Sequence, residues 1–452
     1  MENVISEISN FVWGPPLLVL LVGTGIYLTI RLGLLQLRLL PYSLKLAFTR
    51  NQDKKSEGDI SHFQALMTAL AATVGTGNIV GVATAVMLGG PGAVFWMWMT
   101  ALFGMATKYA EAILAVKYRV KNADGEMSGG PMYYLEKGLK QKWLAILFAL
   151  FGAVAAFGIG NMVQSNSVAG ALESTFSIPP LATGPILAVL TGLVIIGGIK
   201  IIGRVTAFFV PIMALFYVGA GLIILILNAE LVPNAIALIF TDAFTGQAVA
   251  GGALGAVIRW GVARGVFSNE AGLGSAPIAA AAAKTDYPGR QALVSMTQVF
   301  IDTIIICSIT GIALVMGDLY KGDLEGSELT TNTFELFLGS SGSTIVAIGL
   351  VFFAFSTIIG WSYYGEKCFT YLIKHPAMKY LYRTLFVVSA FFGAVLTLET
   401  VWGIADIMNG LMAIPNLIGL LGLSGVVVYE TKKFLEVLKE EKEKKISNQA
   451  KS

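Results

Sequence analysis

The run AATVGTGNIVG, residues 71–81, sets three glycines, Thr73, Thr76 and Asn78 in the middle of an apolar stretch long enough to cross a bilayer. Each glycine costs a helix about 1 kcal/mol relative to alanine, and in hydrocarbon a frayed backbone leaves its amides without water to bond. Such a break persists only beside a cavity or a bound ligand. Amides freed at the start of a half-helix attract an anion such as a carboxylate, while carbonyls freed at the end of one suit a cation. In VGTGN, residues 74–78, the amides of Gly75, Thr76 and Gly77 are placed to face an anion, the missing side chains allow close approach, and Thr76 and Asn78 add polar groups. The same spacing serves a second purpose, because Gly77 and Gly81 make a G-xxx-G pair of the kind that packs helices closely. Packing does not ask for Thr76 or Asn78.

Other polar groups interrupt apolar runs at spacings that invite chemistry. VFFAFSTIIGW, residues 351–361, carries adjacent hydroxyls on Ser356 and Thr357, and oxygen-only ligands suit a hard cation, although membrane hydroxyls also bond back to their own preceding turn. In FGIGNMVQSNSVAG, residues 157–170, Asn161, Gln164 and Ser165 share a helical face, where amides either grip a zwitterion or join helices at about 0.6 kcal/mol each. IRWGVARGVF, residues 258–267, puts Gly261, Gly265 and two arginines where intact spans are apolar. There Trp260 either walls a pocket small enough to limit solute size or simply packs. Thr73, Gly261 and Phe355 are grouped with these substrate-facing candidates. Among ionisable residues within apolar runs, Asp302 is the most isolated, either binding or replacing a coupling cation or pairing with Arg259 or Arg264. Lys108 and Glu111 stand three apart and can pair with each other, while Asp406 and Asn409 can line an access path. Cys307, Cys368, His62 and His375 form no metal-ligand or nucleophile pattern, so neither an enzyme nor a redox or zinc role is expected.

The elements that must position these groups follow from composition. Mean hydropathy is +0.73, and charged residues are 13% where soluble domains carry about 25%. Eleven apolar runs emerge, at roughly 13–30, 63–88, 92–117, 143–172, 181–199, 206–228, 246–266, 291–316, 343–369, 380–397 and 402–428. The first follows no basic leader or small-residue cleavage site and is read as retained. Basic residues set the orientation: Arg31, Arg38, Lys45, Arg50, Lys54 and Lys55 follow the first run, and Arg119, Lys121, Lys137, Lys140 and Lys142 follow the third. Those loops are expected in the cytoplasm, the amino terminus outside and the Lys-rich tail inside. The acidic loop at 317–342, with Asp318, Asp323, Glu325, Glu328 and Glu335 against Lys321, agrees. A net charge of +3, spread beside membrane runs, anchors topology and excludes a nucleic-acid function. With the first run set aside, ten remain as two sets of five, each opening on a damaged helix, at 74–78 and at 258–267. Paired broken segments at corresponding places point to an inverted-repeat transporter. The expected division is 1–60 for the amino-terminal span and linker, 61–228 and 229–428 for the repeats, and 429–452 for a cytoplasmic tail.

GGPGAVFWMWMTALFG, residues 89–104, and RGVFSNEAGLGSAP, residues 264–277, resemble signatures of the sodium:alanine, or alanine or glycine:cation, symporter family, and the likeness runs from about 60 to 425. That family is grouped with the amino acid, polyamine and organocation transporters, so the resemblance implies an all-α integral membrane protein of LeuT-type fold, a 5+5 inverted repeat with one extra amino-terminal helix, in the cell membrane. By the match of the valine, two glycines and asparagine of 74–78 to the broken first core helix of that fold, the carbonyls of Ala71 and Val74 would coordinate sodium. The corresponding later helix would add Ser356, Thr357 and the carbonyl of Phe353. One departure stands out, since Gly81 occupies the place where the leucine transporter has an outer-gate arginine, so the gate must differ. The resemblance implies symport of glycine or alanine with sodium and no other cofactor. The rivals are a carrier for another small zwitterion, a proton-coupled carrier and a channel. One monovalent cation moving down about 100 mV with a tenfold gradient releases about 3.7 kcal/mol, enough for roughly 500-fold accumulation.

Overall fold

A computed structural model describes residues 2–49, 56–244, 255–396 and 399–449. Arg50, Lys54 and Lys55 of the charge pattern, and residues 246–254 at the head of the seventh apolar run, lie outside the described residues. The chain is helical nearly throughout: α1 Glu2–Val12, α2 Pro15–Arg31, α3 Leu35–Phe48, α4 His62–Thr73, α5 Val82–Gly89, α6 Gly92–Lys117, α7 Lys142–Phe157, α8 Val163–Phe176, α9 Pro180–Ile195, α10 Gly198–Leu227 and α11 Val232–Asp242. There follow α12 Ala256–Asn269, α13 Pro277–Ala281, α14 Pro288–Val299, α15 Ser308–Gly317, α16 Gly326–Leu338, α17 Ser340–Leu372, α18 Ala377–Val395, α19 Glu399–Gly422 and α20 Ser424–Gln449. A small antiparallel hairpin, β1 Val120–Lys121 with β2 Met127–Ser128, marks one face of the bundle. Helix α1 packs on the first half of α19, with Ile5 against Gly403 and Val12 against Gly410, while the far end of α19 meets Tyr134 and Leu139, which follow the hairpin.

Among the described residues, six helices are long and apolar enough to cross a membrane, and the pair 62–73 and 77–89, bent by 55°, makes up to seven. They correspond to seven of the eleven apolar runs. The rest fall on α6, which carries Lys108, Glu111 and Lys117, and on the helices α9, α12 and α18. Phe208, Leu215 and Ile226 of α10 stand at least 70% exposed, as lipid-facing side chains do.

The first break lies where the glycines place it. A capping box starts α4, with the Gln64 amide donating to Ser61 Oγ and the Ser61 amide to Gln64 Oε1. The helix ends at Val74, whose ψ of 91° is extended, and after two residues a π turn at Gly77–Gly81 restarts it. The second break corrects the sequence reading. Helix α12 runs unbroken through Gly261 and Gly265, and the rupture comes at Glu270–Ala276, where Glu270, Gly272 and Gly274 hold φ of 55°, 92° and 88°. Gly261 and Gly265 are small because α6 crosses there: a Cβ on Gly261 would sit 2.5 Å from the Ala93 carbonyl, and one on Gly265 2.3 Å from Thr100 Oγ1.

The second break is tied down by charge. The Glu111 carboxylate of α6 accepts from the Gly272 amide at 3.1 Å and Asn416 Nδ2 at 2.7 Å, and Asn416 also donates to the Gly272 carbonyl. Lys108 pairs with Glu111 at 3.7 Å, as the spacing of three suggests, and donates to the Glu270 carbonyl at 2.9 Å, both side chains being wholly buried. Lys108→Met leaves that carboxylate uncompensated and is expected to lower stability by about 3 to 5 kcal/mol. Lys108→Met with Glu111→Gln should recover part of it. Thermal melting of the two purified variants checks this, and a single variant as stable as the parent sinks it.

Candidate functional site

Four irregular segments converge at the middle of the bundle: the first break, the π turn Gly158–Met162 between α7 and α8, the end of α12, and the π turn Phe300–Cys307 between α14 and α15. Such turns concentrate at functional sites because they leave backbone groups outside the regular ladder. Helix α17 closes the fourth side of α4 with Phe353, Ser356, Thr357 and Trp361.

Oxygens from α4 and α17 form one cluster. Ser356 Oγ lies 2.8 Å from the Phe353 carbonyl, 3.2 Å from that of Ala71 and 3.4 Å from that of Val74. Thr357 Oγ1 lies 3.0 Å from the Phe353 carbonyl and 3.5 Å from Val74. The hydroxyls do bond back to their own turn, yet each also reaches carbonyls released by the broken helix. Gly360, one turn on, sits so close that a Cβ would lie 2.7 Å from the Ala72 nitrogen, which holds the two helices at this spacing.

The break itself differs in detail from expectation. Gly75 donates its amide to Asn78 Oδ1 at 2.9 Å, so the three expected amides become two, those of Thr76 and Gly77, which take no protein acceptor among the described residues. Gly81 faces open space, so no G-xxx-G face forms, whereas a Cβ on Gly77 would lie 3.2 Å from Ser268 Cα and 3.5 Å from Phe267. Gly75 is the tightest point, a Cβ there lying 2.4 Å from Thr357 Oγ1 and 3.4 Å from Gln164 Oε1.

Gln164 joins the site and Asn161 does not. Gln164 donates to Thr76 Oγ1 at 3.2 Å, and its buried Oε1 has no donor. Asn161 instead donates to the Phe386 carbonyl at 2.7 Å, because the π turn rotates it toward α18. Thr73 turns its hydroxyl back to the Ala69 carbonyl. Phe355 packs edge-on against Phe209 of α10, outside the oxygen cluster. Trp260 lies between Arg259 and Arg264 near α1, remote from the second break, and Gly261 beside it serves the α6 contact.

Asp302 pairs with neither arginine. Arg259 donates to Asn10 Oδ1, while Asp302 accepts from Asn78 Nδ2 at 2.8 Å, Ser268 Oγ at 2.9 Å and Thr303 Oγ1 at 2.9 Å. It thus joins the first break to the end of α12. Two site residues escaped the sequence reading. Trp361 donates to Glu270 Oε1 at 2.9 Å, and its indole covers Gly160, where a Cβ would come within 2.4 Å of it. Its place four residues beyond Thr357 was the available signal. Glu270, held in a left-handed conformation, lies inside the family-like stretch 264–277, and its carboxylate there was the available signal.

Comparison with known proteins identifies the family and the fold. The profile of the Sodium:alanine symporter family matches residues 1–448. The Sodium/alanine symporter AgcS of Methanococcus maripaludis is 62% identical over 447 residues, covering 97% of this chain and 98% of that protein. The Probable sodium/glutamine symporter GlnT of Bacillus subtilis is 40% identical over 428 residues, covering 94% and 89%. The crystal structure of MhsT in complex with L-phenylalanine superposes with a TM-score of 0.58 at 15% identity, covering 83% of this chain and 99% of that one, which establishes the LeuT-like helical fold. The chain is therefore a multi-pass membrane transporter and belongs to the sodium:alanine symporter family, whose members couple amino-acid movement to a cation.

Proposed function

We propose that the chain carries alanine or glycine into the cell with sodium, by alternating access around one site at the first break, with the hairpin face cytoplasmic and the α1 face outside. The oxygen cluster carries this reading. A cation with contacts of about 2.4 Å places neighbouring ligands about 3.4 Å apart at right angles. The separations from Ser356 to Ala71 and Val74, and from Thr357 to Val74, are 3.2 to 3.5 Å. On cation entry the hydroxyls turn from donors to acceptors and no side chain need move.

A zwitterion fits beside it. Its carboxylate takes the amides of Thr76 and Gly77, and its ammonium takes the free Oε1 of Gln164. In this reading the Trp361 indole, held by Glu270 and packed on Gly160, is the wall that limits the substrate to a small side chain. The 62% identical relative carries alanine by its name, which supports the small substrate over the glutamine of the 40% identical one.

The test is radiolabelled alanine uptake into proteoliposomes, with sodium and proton gradients imposed separately. Uptake should follow sodium alone and saturate. Equal uptake driven by protons in sodium-free buffer removes Ser356 and Thr357 from the ion role, and unsaturable uncoupled flux makes the protein a channel. Asp302 supplies a second test, since it links Asn78 to Ser268 through hydrogen bonds to a charged group, each worth about 1.5 to 3 kcal/mol. Asp302→Asn should weaken alanine binding at least tenfold, as measured by scintillation proximity on purified protein. Unchanged affinity would show that the link does not shape the site.

A further inference from the structure

We propose that α3 is a docking surface for anionic phospholipid headgroups of the cytoplasmic leaflet, and that lipid bound there braces the first half of the broken helix; this rests on the transport reading above, with the hairpin face in the cytoplasm. Helix α3 leaves the first span, which ends at Arg31, through a tight turn with Gly33 and Leu34 at φ of 63° and 55°. The chain that follows it is tied to the hairpin. The Glu57 carbonyl accepts from Arg119 Nη2 at 2.9 Å, and Asp59 Oδ2 accepts from the Met127 amide at 2.7 Å.

The exposed face of α3 carries two chemistries side by side. Leu37, Pro41 and Phe48 recur at the spacing of one helical face, with Leu37 52% and Phe48 58% exposed. Arg38 and Lys45, two turns apart, run along the edge of that stripe, and Arg31 stands at the turn before it. None of these three bases has an acidic partner among the described residues: Arg31 donates to the Tyr27 hydroxyl and Arg38 to the Gly33 carbonyl. The chain offers none nearby, since no aspartate or glutamate occurs between Glu7 and Asp53. Water does not favour the leucine and phenylalanine, and hydrocarbon does not favour the unpaired bases. The boundary between acyl chains and anionic headgroups takes both, the rings and methyls on one side and the phosphates on the other. The preference of basic residues for the cytoplasm accounts for their side of the membrane but not for their arrangement along one face of a helix.

The buried face carries the effect inward. Gln36, Ser43 and Ala47 are wholly buried, and Gln36 donates to Thr29 Oγ1 at 2.9 Å and to the Leu102 carbonyl at 3.2 Å. Ala47 belongs to the same apolar cluster as Leu66, Met67 and Leu70 of α4, and the Phe48 ring lies 6.0 Å from that of Phe63. Helix α4 leads directly to the Ala71 and Val74 carbonyls of the oxygen cluster, and the break removes the regular ladder that would fix it to α5. Its position therefore depends on what packs beside it, and α3 does. Headgroups that hold α3 favour the arrangement in which those carbonyls face Ser356, so sodium binding tightens with anionic lipid.

Lipid retention and transport by the purified full chain test this, for the parent, for Arg38→Gln with Lys45→Gln, and for Lys432→Gln with Lys433→Gln, an equal loss of charge on α20. Washed in detergent with phosphatidylglycerol and phosphatidylcholine in equal amounts, the parent and the α20 variant should keep phosphatidylglycerol in excess, and the α3 variant should lose that excess. In proteoliposomes, exchanging part of the phosphatidylcholine for phosphatidylglycerol should lower the sodium concentration for half-maximal alanine uptake by the parent about fivefold, the equivalent of one base at an anionic surface. The α3 variant should not respond, while its sodium-driven uptake in phosphatidylcholine alone reports that it folds. Glycerol phosphate added to phosphatidylcholine vesicles should leave the parent unchanged, because a free phosphate offers no acyl boundary to Leu37 and Phe48. A parent with no preference for phosphatidylglycerol, equal retention by the α3 variant, or an equal loss in the α20 variant overturns the lipid surface and leaves the transport reading intact. Glycerol phosphate acting as phosphatidylglycerol does overturns it in favour of a soluble anion. Retention that requires Arg38 and Lys45, with no sodium-driven uptake by any of the proteins, overturns the transport reading and keeps the lipid surface.

Discussion

Replacing Gly75 by alanine should reduce sodium-driven alanine uptake at least 100-fold, to the background of empty liposomes. The methyl would lie 2.4 Å from Thr357 Oγ1, a distance no Cβ contact tolerates, and 3.4 Å from Gln164 Oε1. Thr357 belongs to the 33-residue helix α17, and Gly360 fixes that helix against Ala72, so the backbone cannot retreat. The strain is relieved only by rotating the threonine about χ1, which carries its hydroxyl away from the Val74 carbonyl and dismantles the cation cluster. One methyl group therefore disturbs the cation ligands and the group offered to the ammonium together. A loss of 100-fold corresponds to about 2.7 kcal/mol, within the usual range for overpacking a core. Gly81→Ala is the matched control, since a Cβ there meets nothing within 4 Å. It should transport normally. If Gly75→Ala retains uptake within threefold of the parent, or if Gly81→Ala fails equally, the break is a packing feature rather than a binding site.

What the sequence made legible, and what it hid, follows from the kind of constraint each residue obeys. The first break was readable because Gly75, Thr76, Gly77 and Asn78 combine low helix propensity with polarity inside an apolar run, and no packing demand explains that combination. The second was misplaced because Gly261 and Gly265 lower helix propensity equally well for a different reason, the close crossing of α6. Glycine alone does not distinguish a ruptured helix from a crowded one. The rupture at Glu270–Ala276 survives through Glu111, Asn416 and Trp361, which are distant in the chain and were invisible to any local pattern. Asn161 and Gln164 were read as one face, yet the intervening π turn shifts their relative angle and sends them to different neighbours. Phe355 shows the same limit, for its ring turns to Phe209 while the next two residues turn to α4. The cation ligands came from family resemblance and not from spacing, because two adjacent hydroxyls in a helix ordinarily bond their own backbone.

Thr357→Val decides between those two uses of the hydroxyl. If Thr357 only bonds back to Phe353, valine removes one intrahelical hydrogen bond worth about 1 kcal/mol, and the sodium dependence of transport stays where it was. If Thr357 is a cation ligand, valine puts a methyl group where one of five oxygens met a charge. An interaction with a charged group is worth about 2 kcal/mol, so the sodium concentration for half-maximal binding should rise about 30-fold. The substrate must feel the same change. Coupling between two ligands is reciprocal, so alanine affinity at fixed subsaturating sodium should fall in step and recover when sodium is raised. Thr357→Ser, which keeps the oxygen and drops the methyl, should restore sodium affinity to within about threefold of the parent. Ser356→Ala should shift sodium in the same direction, since its hydroxyl lies against three of the same carbonyls. Sodium titration of alanine binding by the purified variants measures all of these. A Thr357→Val protein with lowered thermal stability but an unchanged sodium curve would place the cation elsewhere. Asp302 would then be the group to examine, because its carboxylate contacts both Asn78 of the first break and Ser268 of α12.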